Sequence, residues 1–168
     1  MDERYADDRR HTLARWLEQL QQGEQAARIE AVERLGELAD ERAIAPLADL
    51  FNDPDPALRL RAVLALRQIG GVLAVTALTG ALTNELPQVR RAAIVAVGKS
   101  GGSRAVALLL PTLQDPDERV RNTTILTLGE TGDAQALSPL LQVQADPQQK
   151  IDAAYLEHAI QRLRRQDA

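Results

Sequence analysis

Asp115-Pro116-Asp117-Glu118-Arg119-Val120-Arg121 is the stretch from which the fold can be read. Asp-Pro-Asp is a turn signal, and Asp117 suits the N-cap of a helix that begins just after it. Thirty-one residues earlier, Asn84 through Pro87, Val89 and Arg90 repeat the arrangement. A further step back gives Asp53-Pro54-Asp55-Pro56 with Leu58 and Arg59. Pro56 and Pro87 fall at first helical positions, where the missing N–H costs nothing.

The same step of 31 organises the rest of the chain. Arg28, Arg59, Arg90 and Arg121 share one column, and Ala31, Ala62, Ala93 and Thr124 another. Val32, Val63, Ile94, Ile125 and Leu156 form a third. A fourth holds Ala43, Ala74, Ala105 and Ala136, while Asp53, Asn84, Asp115 and Asp146 mark a turn in every unit. So many columns at one step define an internal repeat. Each unit reads as two helices. Val89, Ala93, Ala96, Val97 and Ser100 share one face at helical spacing, as do Val106, Leu109, Leu110 and Leu113. Gly70-Gly71, Gly101-Gly102 and Gly132 supply the turn that ends each second helix. No segment sustains the alternation of a strand.

The expected fold is therefore all-α, with five helix pairs at about 8–39, 40–70, 71–101, 102–132 and 133–165 in one domain over residues 1–168. The first pair carries Gln22-Gly23 in place of the Asp turn. The last ends in Gln161-Arg-Leu-Arg-Arg165, a polar finish suited to a cap. Composition agrees. Hydrophobic residues make up 45% of the 168, yet aromatics only 2%, which favours thin layers of Ala, Leu, Val and Ile over a thick core.

Asp-Pro-Asp-x-x-Val-Arg-x-x-Ala-x-x-Ala-Leu-x-x-Ile-Gly, legible at 115–121 and from Leu58-Arg59 through Ala62, Ala65, Leu66, Ile69 and Gly70, resembles HEAT repeats of the short phycobilisome lyase-like class. The resemblance covers nearly the whole chain. It implies a right-handed α-solenoid, an α-α superhelix whose second helices line a concave side. Some members of that class are implicated in attaching bilins to phycobiliproteins or in phycobilisome turnover. A bilin lyase-like subunit acting on a phycobiliprotein or its chromophore is thus one implied function.

The residues themselves point to a non-catalytic scaffold that binds another protein. With Val89 at 0° on a helical wheel, the core side centres near about 30°, Val95 lies near about 240° and Arg91 near about 200°. The Val95 column reads Glu33, Leu64, Val95, Leu126, Glu157: three aliphatics between two acids. The neighbouring column gives Leu60, Arg91 and Asn122, and Arg61, Arg67 and Lys99 complete the expected partner-binding set. An aliphatic stripe fringed by charge is the usual look of a protein-binding surface. The Arg column reads instead as structure. Each Arg falls in the first turn of a helix, where the macrodipole disfavours cations. An acid or amide (Asp53, Asn84, Asp115) stands six residues before Arg59, Arg90 and Arg121, so a ladder of turn bonds is expected.

Several chemistries lack their residues. The chain has no cysteine, which excludes disulfides and thiol chemistry. Its two histidines, His11 and His158, stand in the first and last units. The repeated His-Glu pairs with which HEAT-like hydroxylases bind iron are missing, Glu157-His158 being the one reversed neighbour. Neither a metal nor another cofactor is expected. Ser100-Gly101-Gly102-Ser103 lacks the signature of a phosphate loop, and Ser138-Pro139 is a helix start. A net charge of −4 speaks against nucleic acid. Trp16, in the column of Leu47, Leu78, Leu109 and Leu140, is expected in the core. The charged N-terminus and the lack of a long apolar run suggest a cytoplasmic protein with no membrane contact.

Overall fold

The computed structural model describes residues 2–146 and 151–166. Those residues form helices and turns, with no strand among them. The ten α-helices are α1 (Asp2–Gln22), α2 (Gln25–Leu38), α3 (Ile44–Asp49), α4 (Pro56–Ile69), α5 (Gly71–Leu78), α6 (Pro87–Gly98), α7 (Gly102–Leu109), α8 (Glu118–Thr131), α9 (Leu137–Ala145) and α10 (Ala153–Gln166). Helices α3, α5 and α7 run on into a 3₁₀ turn before the Asp or Asn of the repeat. In chain order the first and second helices alternate, α1, α3, α5, α7 and α9 each followed by α2, α4, α6, α8 and α10.

The chain divides into two compact units, Met1–Ala81 and Leu82–Ala168. In the first, α2 packs against α1 and α4, while α3 packs against α4 and α5. In the second, α8 lies between α6 and α10, and α7 packs on α6 and α8. Each unit is thus two layers, first helices over second helices. The layers are thin because the facing residues are small or aliphatic. Ala31, Val32 and Leu35 of α2, and Leu58, Ala62, Val63 and Leu66 of α4, are fully buried in the first unit. Val89, Ala93, Ile94 and Val97 of α6, and Val120, Ile125 and Leu128 of α8, are buried likewise in the second.

Caps fall where the turn chemistry places them. The Asp55 carboxylate accepts from the Ala57 amide and that of Asp117 from the amides of Arg119 and Val120, each at the head of a second helix. Two details depart from expectation. α6 ends at Gly98, so Gly101 and Gly102 open α7 instead of closing α6, and Ser100 is exposed with its hydroxyl donated to the Val97 carbonyl. Gly101, with φ 67 and ψ 179, holds a backbone region open essentially only to glycine. Trp16 is half-buried instead of enclosed, and the Arg15 guanidinium sits 4.5 Å over its ring in a cation–π contact.

The second repeat opens with Asp40, which accepts from the Arg42 amide at 3.0 Å and from its guanidinium at 2.9 and 2.7 Å. Those Arg42 hydrogen bonds, foremost from the side chain, hold the Asp40 carboxyl at about 2, against an ordinary 3.8. A carboxyl with a folded pKa below its unfolded one stabilises the fold above the unfolded value. That contribution fades as pH falls through the folded one. Asp40→Asn should therefore be less stable than the parent at neutral pH, with the gap closing between about pH 4 and pH 2 in thermal melts. A gap that persists unchanged at pH 2 would show that the carboxylate's charge is not its source.

Candidate partner-binding faces

The repeat turns come first, because they hold the second helices in place. Asp53 works in three directions. Its Oδ1 accepts from the Asp55 amide at 2.9 Å, its Oδ2 from Arg28 Nη2 of the preceding repeat at 2.5 Å, and its carbonyl from Arg59 Nε of its own repeat. Asp115 does the same in the second unit. Its carboxylate takes Arg90 through two bonds of 2.7 Å and the Asp117 amide at 2.9 Å, and its carbonyl takes Arg121 Nη1 at 2.7 Å. Arg90 also donates to the Asn84 carbonyl at 2.7 Å, and the Asn84 side chain accepts from the Leu86 amide at 3.1 Å. Arg28 and Arg90 thus each join their own turn through a carbonyl, Leu20 and Asn84 respectively, and the following turn through the carboxylate of Asp53 or Asp115. Asp115, donated two hydrogen bonds, raises the Arg90 guanidinium pKa further above its ordinary value.

The outward sides of the second helices carry the residues expected to meet a partner. In the first unit, Leu60, Arg61, Leu64 and Arg67 share α4. Leu64 is 40% exposed, Arg67 is exposed and Leu60 is half-buried. Arg61 is ion-paired with Glu33 of α2, and on α2 Arg34 reaches Glu37 at 3.0 Å. Exposed pairs of this kind contribute about 0–1 kcal/mol and leave their side chains adaptable.

In the second unit, Arg91, Val95 and Lys99 lie on α6, with Asn122 and Leu126 on the adjacent α8. Arg91 and Lys99 are exposed, and Arg91 Nε donates to Thr123 Oγ1 of α8 at 3.0 Å. Val95 and Leu126 are half-buried, less open than the wheel implies. The reason lies three residues on, at Gly98 and Gly129. A Cβ on Gly98 would run into the Thr127 methyl, and one on Gly129 would stand 2.8 Å from Ala159 Cα. Neighbouring second helices approach so closely there that they partly cover the flanking aliphatics. Asn122 Oδ1 is buried and has no hydrogen-bond partner.

Two exposed residues escaped the sequence reading. Val72 and Leu73, at the head of α5, are 65% and 56% exposed. Their signal was a run without charge from Gln68 to Asn84. Among the described residues, no three His, Cys, Asp or Glu side chains gather into a group that could hold a metal, and no helix is long and apolar enough to cross a membrane.

Repeated helix pairs, with turns tied to one another inside each unit, define the chain as an α-solenoid repeat protein. More particularly, it belongs to the HEAT-repeat family, whose sequence profile it matches over residues 13–94 and 80–161. Among solved structures it is similar to human deoxyhypusine hydroxylase in complex with glycerol, with a TM-score of 0.64 and 25% identity over 80% of this chain. The likeness spans 46% of the hydroxylase, so the chain corresponds to less than half of that enzyme. A second similar structure is an engineered protein, with a TM-score of 0.56 and 18% identity over 90% of this chain and 77% of that one. No curated sequence matches the chain.

Proposed function

We propose that this HEAT-repeat chain is a non-catalytic, cytoplasmic scaffold that seats another protein on the outward sides of its second helices. The observation that carries the reading is Leu64. A large aliphatic stands 40% exposed on α4, with Arg61 and Arg67 beside it, in a column that holds Glu in the first and last repeats. On the second unit, Val95 and Leu126 offer smaller apolar surface between Arg91, Lys99 and Asn122. Such a face suits a partner that presents apolar side chains next to carboxylates.

Leu64→Glu combined with Leu126→Glu tests the reading. Helicity should be retained, and the melting temperature should fall by no more than about 3 °C, since the cost of altering these exposed or half-buried positions is of the order of 1 kcal/mol. The protein that co-purifies with the parent should be lost from the variant. Equal recovery from both would remove these helices from the interface.

The resemblance of the repeat motif to the phycobilisome lyase-like class supports a second reading, in which the partner is a phycobiliprotein and the chain serves bilin attachment. A visible absorbance shift on mixing with a linear tetrapyrrole would favour it over the colourless scaffold.

A further inference from the structure

On the first-helix layer, α5 differs from its counterparts. Its buried residues, Ala74, Val75 and Leu78, occupy one side, and Val72, Leu73 and Thr76 are exposed on the opposite side. At the positions of Val72 the other repeats carry Glu41, Ser103 and Ala134. At those of Leu73 they carry Arg42, Arg104 and Gln135. Only the third repeat turns two aliphatics outward here. The polar atoms of this side are already engaged: Thr76 Oγ1 donates to the Val72 carbonyl at 2.8 Å, and Thr79 Oγ1 to the Thr76 carbonyl at 2.7 Å. Covering the face would strand neither hydroxyl, so its desolvation is cheap. In the 3₁₀ turn before α3, the Arg42 guanidinium is held by Asp40.

We infer that the outward face of α5 pairs with the same face of a second copy of this chain. The argument is charge. A two-fold interface sets a patch against itself, so any net charge on it meets its like. In a chain with 26% charged residues, the run from Gln68 to Asn84 has none. Val72 and Leu73 therefore meet their own images without repulsion, and the two copies bury apolar surface that is otherwise left in water. The face is one short helix wide, well below the roughly 800 Å² per partner of a stable interface. The dimer is accordingly weak and dependent on concentration.

Sedimentation of the full chain between low and high micromolar concentration tests this. The apparent mass should rise from the monomer's 18.4 kDa towards twice that value. Leu73→Glu should hold it at the monomer mass with helicity unchanged, whereas Leu64→Glu, on the other layer, should leave dimerisation intact. This separates the inference from the proposed scaffold face. The lack of native cysteine allows a second measurement that depends on no loss of stability. Val72→Cys should cross-link to itself with a short bis-maleimide, and Ala134→Cys, its exposed counterpart in the fifth repeat, should not. A monomer at every concentration, a dimer that survives Leu73→Glu, or equal cross-linking at both cysteines would each overturn the inference.

Discussion

Gly129→Ala is expected to destabilise the protein by about 2 kcal/mol, although alanine is the better helix former by about 1 kcal/mol. An added Cβ would stand 2.8 Å from both Cα and Cβ of Ala159 and 3.4 Å from its carbonyl oxygen. Those are largely backbone atoms of α10, which cannot rotate away, so α8 and α10 must separate along their contact. Overpacking of this kind costs about 1–3 kcal/mol or somewhat more, which outweighs the gain in propensity. At roughly 2–4 °C per kcal/mol for a chain of this size, the melting temperature should fall by about 4–8 °C.

Gly98 supplies the contrast. Its obstacle is the Thr127 methyl, a side-chain group that a second substitution can remove. Gly98→Ala should therefore be destabilising alone and close to neutral in a Thr127→Ser background. A double-mutant cycle should give a coupling of about 1 kcal/mol or more. No such rescue is available at Gly129. A stabilising Gly129→Ala would mean that the second helices are free to part, and would remove the explanation for the partial burial of Val95 and Leu126.

These glycines show where the sequence was legible and where it was not. The columns of Ala, Val and Ile announced buried helix faces, since a side chain that recurs every 31 residues meets the same surroundings in each repeat. Asp55 and Asp117 could be recognised as caps because capping is local and needs no knowledge of neighbours. Gly36, Gly98 and Gly129 also stand in register, and a Cβ added to Gly36 would likewise stand 3.0 Å from Ala65 Cα. Their meaning is the distance between two helices, which no single helical wheel contains. For the same reason Val95 looked open, whereas α8 half-covers it. Ser100 was placed on the core face by carrying the helical period one turn beyond Gly98, where the helix stops. Val72 and Leu73 were overlooked because an uncharged helix has no polar side to orient it, so its period does not say which residues face out.

The Arg column was legible as a ladder, but its connectivity needed the structure, and there the second large effect is expected. Arg90→Ala should cost about 3 kcal/mol, as the loss of one partner from a buried, hydrogen-bonded ion pair does. Arg90 is 9% exposed, and its fork is fully engaged: Nε and Nη2 on the Asp115 carboxylate, Nη1 on the carbonyls of Asn84 and Glu85. Truncation leaves a carboxylate that is only 7% exposed, with the Asp117 amide still donating to it but the Arg90 fork gone, and uncovers two carbonyls in the turn before α6. Arg90→Lys should recover less than half of the loss. A single ammonium keeps the charge but lacks the planar fork that reaches a carbonyl of one repeat and a carboxylate of the next. Arg34, whose partners Glu30 and Glu37 are more than half exposed, is the reference. Arg34→Ala should change stability by no more than about 0.5 kcal/mol, as surface pairs do. Urea unfolding of the three variants beside the parent measures all of these values. If Arg90→Ala and Arg34→Ala unfold at the same midpoint, the turns are not what fastens one repeat to the next, and the buried aliphatic columns alone hold each unit together.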